Sequence, residues 1–388
     1  MFSSRFHWDF HQNRLTQLLG AKLVAGIPIL DLTESNPTHA GLVYPSEMMR
    51  AFDTPRALDY QPAPAGSLEA RQAVAAYYKA GGHDVDLSRI LLTASTSEAY
   101  AYLFKLLANP GDNVLVPRPS YPLFDYLATM ESITVRQYPL AYHSEWSIDL
   151  EGLTAALTDR TRAIVVVHPN NPTGSYVKRA ELKALVQVCR ERELALISDE
   201  VFFDYGFAPD PHRAGTLASV TGCLAFAMSG LSKIAGLPQM KLGWIALTGP
   251  PDLRAEAFEK LEWISDTYLS VSTPVQCAAE ALLRAGGQVR GEIRERCAAH
   301  LRQAREALTG SSANILAVEG GWYMTIQAPR VRSEEDWTLE LLERENVLVQ
   351  PGFFYDFESE AHLVVSLLTA PESFREGMAR LLRQLDGA

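Results

Sequence analysis

The sequence predicts an α/β fold, a mostly parallel, doubly wound sheet in a large domain followed by a smaller α+β domain. Three observations carry this. Between about residues 88 and 250, short runs rich in Val, Ile, Leu and Ala alternate with amphipathic stretches. The runs are mostly four to seven residues long and do not alternate apolar with polar positions, as expected of strands buried on both faces. Near Pro250 the order changes to long helices and then scattered strands, the pattern of a separate unit.

The elements follow in order. A helix is expected over about Phe10–Ala25, then the loop DLTESNPTHAGLVYP. SLEARQAVAAYYKA (67–80) has strong helix formers throughout. ILLTAS then leads into the helix SEAYAYLFKLLA. NVLVPRP and ITVRQYPL are the next strands, and AIVVVHP precedes the helix RAELKALVQVCRERE. LALISDE, CLAFAM and WIALTG complete the set, with helices between strands making βαβ units. A helical region runs from 250 to about 309, broken near Pro274. The strands WYMTIQA, VLVQ and HLVVSLL and the helices SEEDWTLELLEREN and ESFREGMARLLRQL follow. The expected division is an N-terminal segment (1–45) packing with the small domain, a large domain (46–285) and a small C-terminal domain (286–388).

Composition narrows the function. With 388 residues, 47% hydrophobic and 21% charged, the chain reads as a folded, soluble protein. A net charge of −11 argues against a nucleic-acid partner. Cys189, Cys223, Cys277 and Cys297 are scattered without CxxC spacing, so neither a zinc site nor a disulfide framework is expected. The N-terminus shows no signal-peptide core, and no apolar run is long enough to span a membrane. A cytoplasmic enzyme is the expectation.

In open α/β sheets, ligands sit beyond the carboxyl ends of the strands. At those ends this chain carries Ser95-Thr96-Ser97, Pro119-Ser120-Tyr121, Asn170-Asn171-Pro172, Asp199-Glu200 and Ser232-Lys233. Each has a plain structural reading: a helix N-cap, a packing aromatic, a turn, an ion pair, a solvated lysine. Together they offer a phosphate seat at a helix N-terminus, a ring to stack on a heterocycle and an amide for a ring substituent. Asp199 adds an acid for a ring nitrogen, and Lys233 an amine for an aldehyde. Lys233 lies in SGLSKIAGLPQMKLGW, which contains no acidic residue. A desolvated lysine of this kind has a lowered pKa and becomes a nucleophile. Pyridoxal phosphate has all five complementary groups.

These motifs, HPNNPTG (168–174), SDEVF (198–202) and SGLSK with KLGW (229–233, 241–244), resemble the class I/II aminotransferases, fold-type I pyridoxal phosphate enzymes. The resemblance covers nearly the whole chain. It implies that Lys233 forms the cofactor Schiff base and moves the substrate proton. It implies that Asp199 pairs with the pyridine nitrogen, Asn171 with the 3-oxygen, and Tyr121 with the ring face. Ser95, Thr96, Ser97, Ser229, Ser232 and Lys241 are implied at the phosphate. Tyr60 resembles a tyrosine that reaches the neighbouring subunit's phosphate, so a homodimer is expected. WDF (8–10) and the DLTESNPT loop, with Ser35 and Asn36, resemble the segment that closes over substrate. The implied reaction moves an amino group from an amino acid to a keto acid. A lyase, cyclase or decarboxylase is the alternative on the same fold, and the presence of Lys233, Asp199 and Asn171 disfavours a non-enzymatic relic.

The chain departs from the family pattern at four places. Phe202 stands where a tyrosine is usual, Lys241 where an arginine is usual, and Ser35 where a glycine is usual. The carboxylate-binding arginine of an R-[IL]-S strand is replaced by Val364 in VVS, and no Arg or Lys lies between Glu345 and Phe374. Arg118, His39 and Phe353–Phe354 are further candidates for the pocket wall.

Overall fold

The computed structural model describes residues 1–387 apart from His7, Asp9 and Phe10. Two of the WDF residues and the expected start of the first helix therefore lie outside the described residues. That helix is seen over Arg14–Val24, capped by Asn13, whose side chain accepts from the Thr16 N–H at 2.8 Å.

In chain order the strands are β1 (Leu30–Asp31), β2 (Ile90–Thr93), β3 (Asn113–Arg118), β4 (Thr134–Tyr142), β5 (Trp146–Ile148), β6 (Thr161–Val167) and β7 (Ala195–Asp199). They continue as β8 (Ala225–Gly230), β9 (Gly243–Thr248), β10 (Asn314–Ile315), β11 (Tyr323–Gln327), β12 (Val347–Leu348), β13 (Gln350–Pro351) and β14 (His362–Ser366). The large sheet has the order β2-β9-β8-β7-β6-β3-β4-β5. Pairings from β8 through β4 are parallel, as the non-alternating runs predict.

β9 is antiparallel to both β8 and β2. The sequence reading of a further βαβ unit here does not hold. Between β8 and β9 lies only Leu231–Leu242, with a helical turn, Leu231–Ile234, and a 3-10 turn, Pro238–Met240. Neither turn is long enough to carry the chain back along the sheet, so it turns back beside the strand it left. Lys233 sits in this return.

Each parallel strand splits its side chains between two cores. Ile164, Val166, Leu196, Ala225 and Ala227 join a cluster with the helices Leu68–Ala80, Arg179–Glu191 and Thr273–Ala307. Ala163, Val165, Ala195, Ile197, Phe226 and Met228 join the other, with the helices Thr96–Leu107 and Pro251–Tyr268. This is strand alternation on a sheet covered on both faces.

The second unit has a four-stranded sheet, β10-β11-β14-β13, with the helix Pro371–Asp386. The N-terminal segment joins it through the parallel β1–β12 pairing, Leu30 opposite Val347. The helical region breaks where Pro274 predicts, and a new helix begins at Thr273 with that proline in its first turn. The helix Thr273–Ala307 is continuous through position 285, where our sequence division places the domain boundary.

Candidate active site

The carboxyl ends of β6, β7 and β8 open on a cavity of about 380 Å³ between the two units. Strand parity decides what faces it. Asp199 follows Ala195 and Ile197 towards the face covered by Thr96–Leu107. Glu200 points the opposite way, where the Leu217 N–H (2.7 Å) and the hydroxyls of Ser198 (3.0 Å) and Thr216 satisfy it.

Ten of the thirteen sequence-predicted residues line the cavity: Ser35, Ser95, Thr96, Ser97, Tyr121, Asn171, Asp199, Ser232, Lys233 and Lys241. The other three do not. Ser229 is in phase with Ala225 and Ala227, so it faces the opposite core, where its hydroxyl donates to the Glu200 carbonyl at 3.3 Å. Asn36 turns its side-chain oxygen onto Thr38, accepting from its N–H at 3.1 Å and its hydroxyl at 2.7 Å. Tyr60 is 68% exposed and lines a separate groove with Ser270 and Val271. Of the further candidates, Arg118 is held outside by the Asp356 carbonyl (3.0 Å) and Glu358 (3.5 Å). His39 and Phe353 are exposed and outside the lining.

The lysine meets the electrostatic condition the sequence suggests. Burial pushes the Lys233 ammonium down to about 8, opposed in part by Asp199. Its Nζ lies over Trp322, 4.8 Å from the ring centroid, and 5.7 Å from that of Phe202. Such cation–π contacts soften the cost of desolvation. Tyr205, three residues past Phe202, does not replace the missing tyrosine, because it donates to the Lys233 carbonyl.

Asp199 is driven the other way. Burial raises its carboxyl to about 6, while the Val201 N–H, the Tyr100 hydroxyl and Lys233 hold it down. Tyr100 donates to Asp199 Oδ2 at 3.2 Å from the first turns of the helix Thr96–Leu107. Sequence reasoning passed over Tyr100, since its place in SEAYAYLF reads as ordinary helical packing.

At that helix's start Ser95 is the N-cap. Its hydroxyl accepts from the Glu98 N–H at 3.1 Å, and Glu98 accepts from the Ala94 N–H at 2.7 Å. The cap leaves the Thr96 and Ser97 end of the helix facing the cavity, a seat for an anion. Lys241 stands in the left-handed region at φ 52°.

One feature fits a bound pyridoxal phosphate, and another marks a further hydrogen-bonding ligand in the same cavity. The side-chain oxygen of Asn171 is buried without a hydrogen-bond partner, and such a group is costly unless a ligand completes it. Lys233, an amine of lowered pKa, shares the cavity with a buried carboxylate and an anion seat.

Comparison with known proteins agrees with this geometry. Residues 27–381 match the family described as aminotransferase class I and II. The glutamate-pyruvate aminotransferase AlaA of Escherichia coli is 28% identical over 373 residues, covering 93% of this chain and 91% of that protein. The S-alkyl-thiohydroximate lyase SUR1 of Arabidopsis thaliana is 35% identical over 223 residues, but these span 56% of this chain and 48% of that protein. A solved aminotransferase from Escherichia coli superposes with a TM-score of 0.87 at 25% identity, covering 100% of this chain and 98% of that one. A Thermus thermophilus aspartate aminotransferase variant reaches 0.85 at 25% identity, covering 99% and 100%. The chain belongs to the class I and II aminotransferases, the fold-type I family whose members use pyridoxal phosphate.

Proposed function

We propose that this aminotransferase holds pyridoxal 5'-phosphate in the cavity between its two units and uses Lys233 as the amine that carries it. When bound, the cofactor supplies an electrophilic carbonyl and an electron sink. Asp199 keeps a negative charge against the ring nitrogen. Asn171 offers its amide to the 3-oxygen, and Tyr121 covers one ring face. Thr96 and Ser97, with Ser95, Ser232 and Lys241, receive the phosphate. Lys233 Nζ, brought down to about 8 by burial, has a larger unprotonated fraction at neutral pH than an ordinary lysine, and that amine accepts the substrate proton and returns it during amino transfer. The exposed Tyr60 fits a homodimer in which it serves the neighbouring site, and four free thiols fit a cytoplasmic enzyme.

The observation that carries the reading is a desolvated lysine and a buried aspartate on one cavity with an anion seat. Borohydride reduction of the reconstituted holoenzyme is expected to fix the cofactor mass on Lys233 in a peptide map. No fixation, or fixation on another lysine, overturns the assignment. Without an acceptor, one equivalent of keto product per site marks amino transfer. Release of ammonia or carbon dioxide with continued turnover marks a lyase or decarboxylase instead.

A further inference from the structure

The cavity lining contains three charged side chains, Asp199, Lys233 and Lys241. The reading above, on which this inference rests, commits all three to the cofactor. The phosphate itself adds roughly two negative charges. Among the described residues lining the cavity, a substrate carboxylate would meet no cation beyond these.

The arginine's place is also filled. Val364 is 1% exposed in β14, between Thr325 on β11 and Gln350 on β13. Gln350 accepts from the Tyr355 hydroxyl, which closes that flank.

What the small sheet presents instead is Tyr323. It shares the sheet face of Thr325 and Val364, and it lines the cavity. Ser35 and Tyr121 line the same cavity. The Ser35 loop is held there by Ser366, whose hydroxyl donates to the Glu34 carbonyl at 2.6 Å and whose N–H donates to the Leu32 carbonyl at 2.7 Å. A neutral hydroxyl both donates and accepts. Asn171 adds a buried oxygen that needs a donor. A carboxylate only accepts, so it would face that oxygen without satisfying it. A carboxamide or a hydroxyl can satisfy both.

We infer that Tyr323, with Ser35 and Asn171, forms a neutral recognition site for an uncharged hydrogen-bonding group on the carbon that bears the amine. The amino donors are amino-acid amides or amino alcohols in preference to free α-amino acids. Tyr323 is the residue that sets this preference.

Rapid spectral titration of the holoenzyme with L-alaninamide, L-alanine and isopropylamine tests this, with concentrations counted as the neutral amine. L-alaninamide is expected to bind about tenfold tighter than L-alanine. In Tyr323→Phe the amide is expected to lose about fivefold, while isopropylamine, which offers no polar group, is unchanged. L-alanine binding as tightly as its amide overturns the substrate class. An unchanged amide affinity in Tyr323→Phe overturns the role of Tyr323. The borohydride map run on the same protein separates the two readings. Label on Lys233 with L-alanine preferred removes only this inference, whereas absent label removes the cofactor assignment beneath it.

Discussion

Replacing Tyr100 by Phe isolates one hydrogen bond to a buried carboxylate. Tyr100 is 3% exposed and packs edge-on against Phe124 (5.5 Å) and tilted against Phe104 (5.7 Å). A phenyl ring fills the same space, so the change removes the hydroxyl alone. A hydrogen bond to an ionised acceptor contributes about 1.5–3 kcal/mol, and 1.36 kcal/mol corresponds to about one pKa unit. Asp199, already near 6 through burial, is therefore expected to titrate at about 7–8 in the variant. A protonated ring nitrogen is bound by the carboxylate form. Affinity for the ring should rise with pH until Asp199 is ionised, levelling just above pH 6 in the native protein and one to two units higher in Tyr100→Phe. Pyridoxine 5'-phosphate is the suitable probe, because its alcohol cannot react with Lys233 and leaves that titration out. Its dissociation constant, followed by protein fluorescence from about pH 5 to 9, gives the two profiles. Superimposable profiles from two folded proteins would refute the reasoning.

Lys233→Met is expected to stabilise the apoprotein at neutral pH. The native pKa, about 8 against 10.5, means that the unfolded state binds more protons between these values. Native stability thus rises with pH across that window, and below pH 8 the penalty is complete, up to about 3 kcal/mol. Thermal unfolding should show the variant's advantage at pH 7 and its loss by about pH 10.5, and an equal advantage at both pH values speaks against a desolvated ammonium. Lys241→Asn keeps a residue that tolerates positive φ while removing the charge. Affinity for pyridoxal 5'-phosphate should fall roughly tenfold and lose salt sensitivity, and an unchanged dissociation constant removes Lys241 from the phosphate site.

The large sheet was readable because strands buried on both faces have no polar phase, and β6, β7 and β8 carry apolar residues into both cores. The antiparallel return of β9 was not readable from strand content. It depends on the length of the connection, and Leu231–Leu242 looked like one more helix-bearing segment. Ser229 was misplaced for a related reason. Distance along the chain put it beside Ser232, whereas its phase with Ala225 and Ala227 turns it to the other face. The same phase, counted from Ala195 and Ile197, selects Asp199 over Glu200. Tyr100 and Tyr323 had no such signal, since their roles arise only when a helix and a second unit are laid against the strand ends.

The departures from the family pattern are not independent. Phe202 packs edge-on against Trp322 at 5.2 Å and Tyr323 at 6.3 Å. Trp322 is fully buried and lies under the Lys233 ammonium. Tyr323 follows it onto the sheet face of Val364. Loss of the hydroxyl at 202 and of the guanidinium at 364 thus falls on one continuous wall, from the floor beneath the lysine to the small sheet. A wall remade in this way exchanges charged and strongly donating groups for aromatic faces and neutral hydroxyls. Restoring a single family residue, as in Phe202→Tyr, adds a buried hydroxyl beside Trp322 without an arginine beyond it. The proposed substrate preference accordingly involves the wall as a unit, with the ring of Phe202 and the hydroxyl-bearing Tyr323 as the members that reach the cavity.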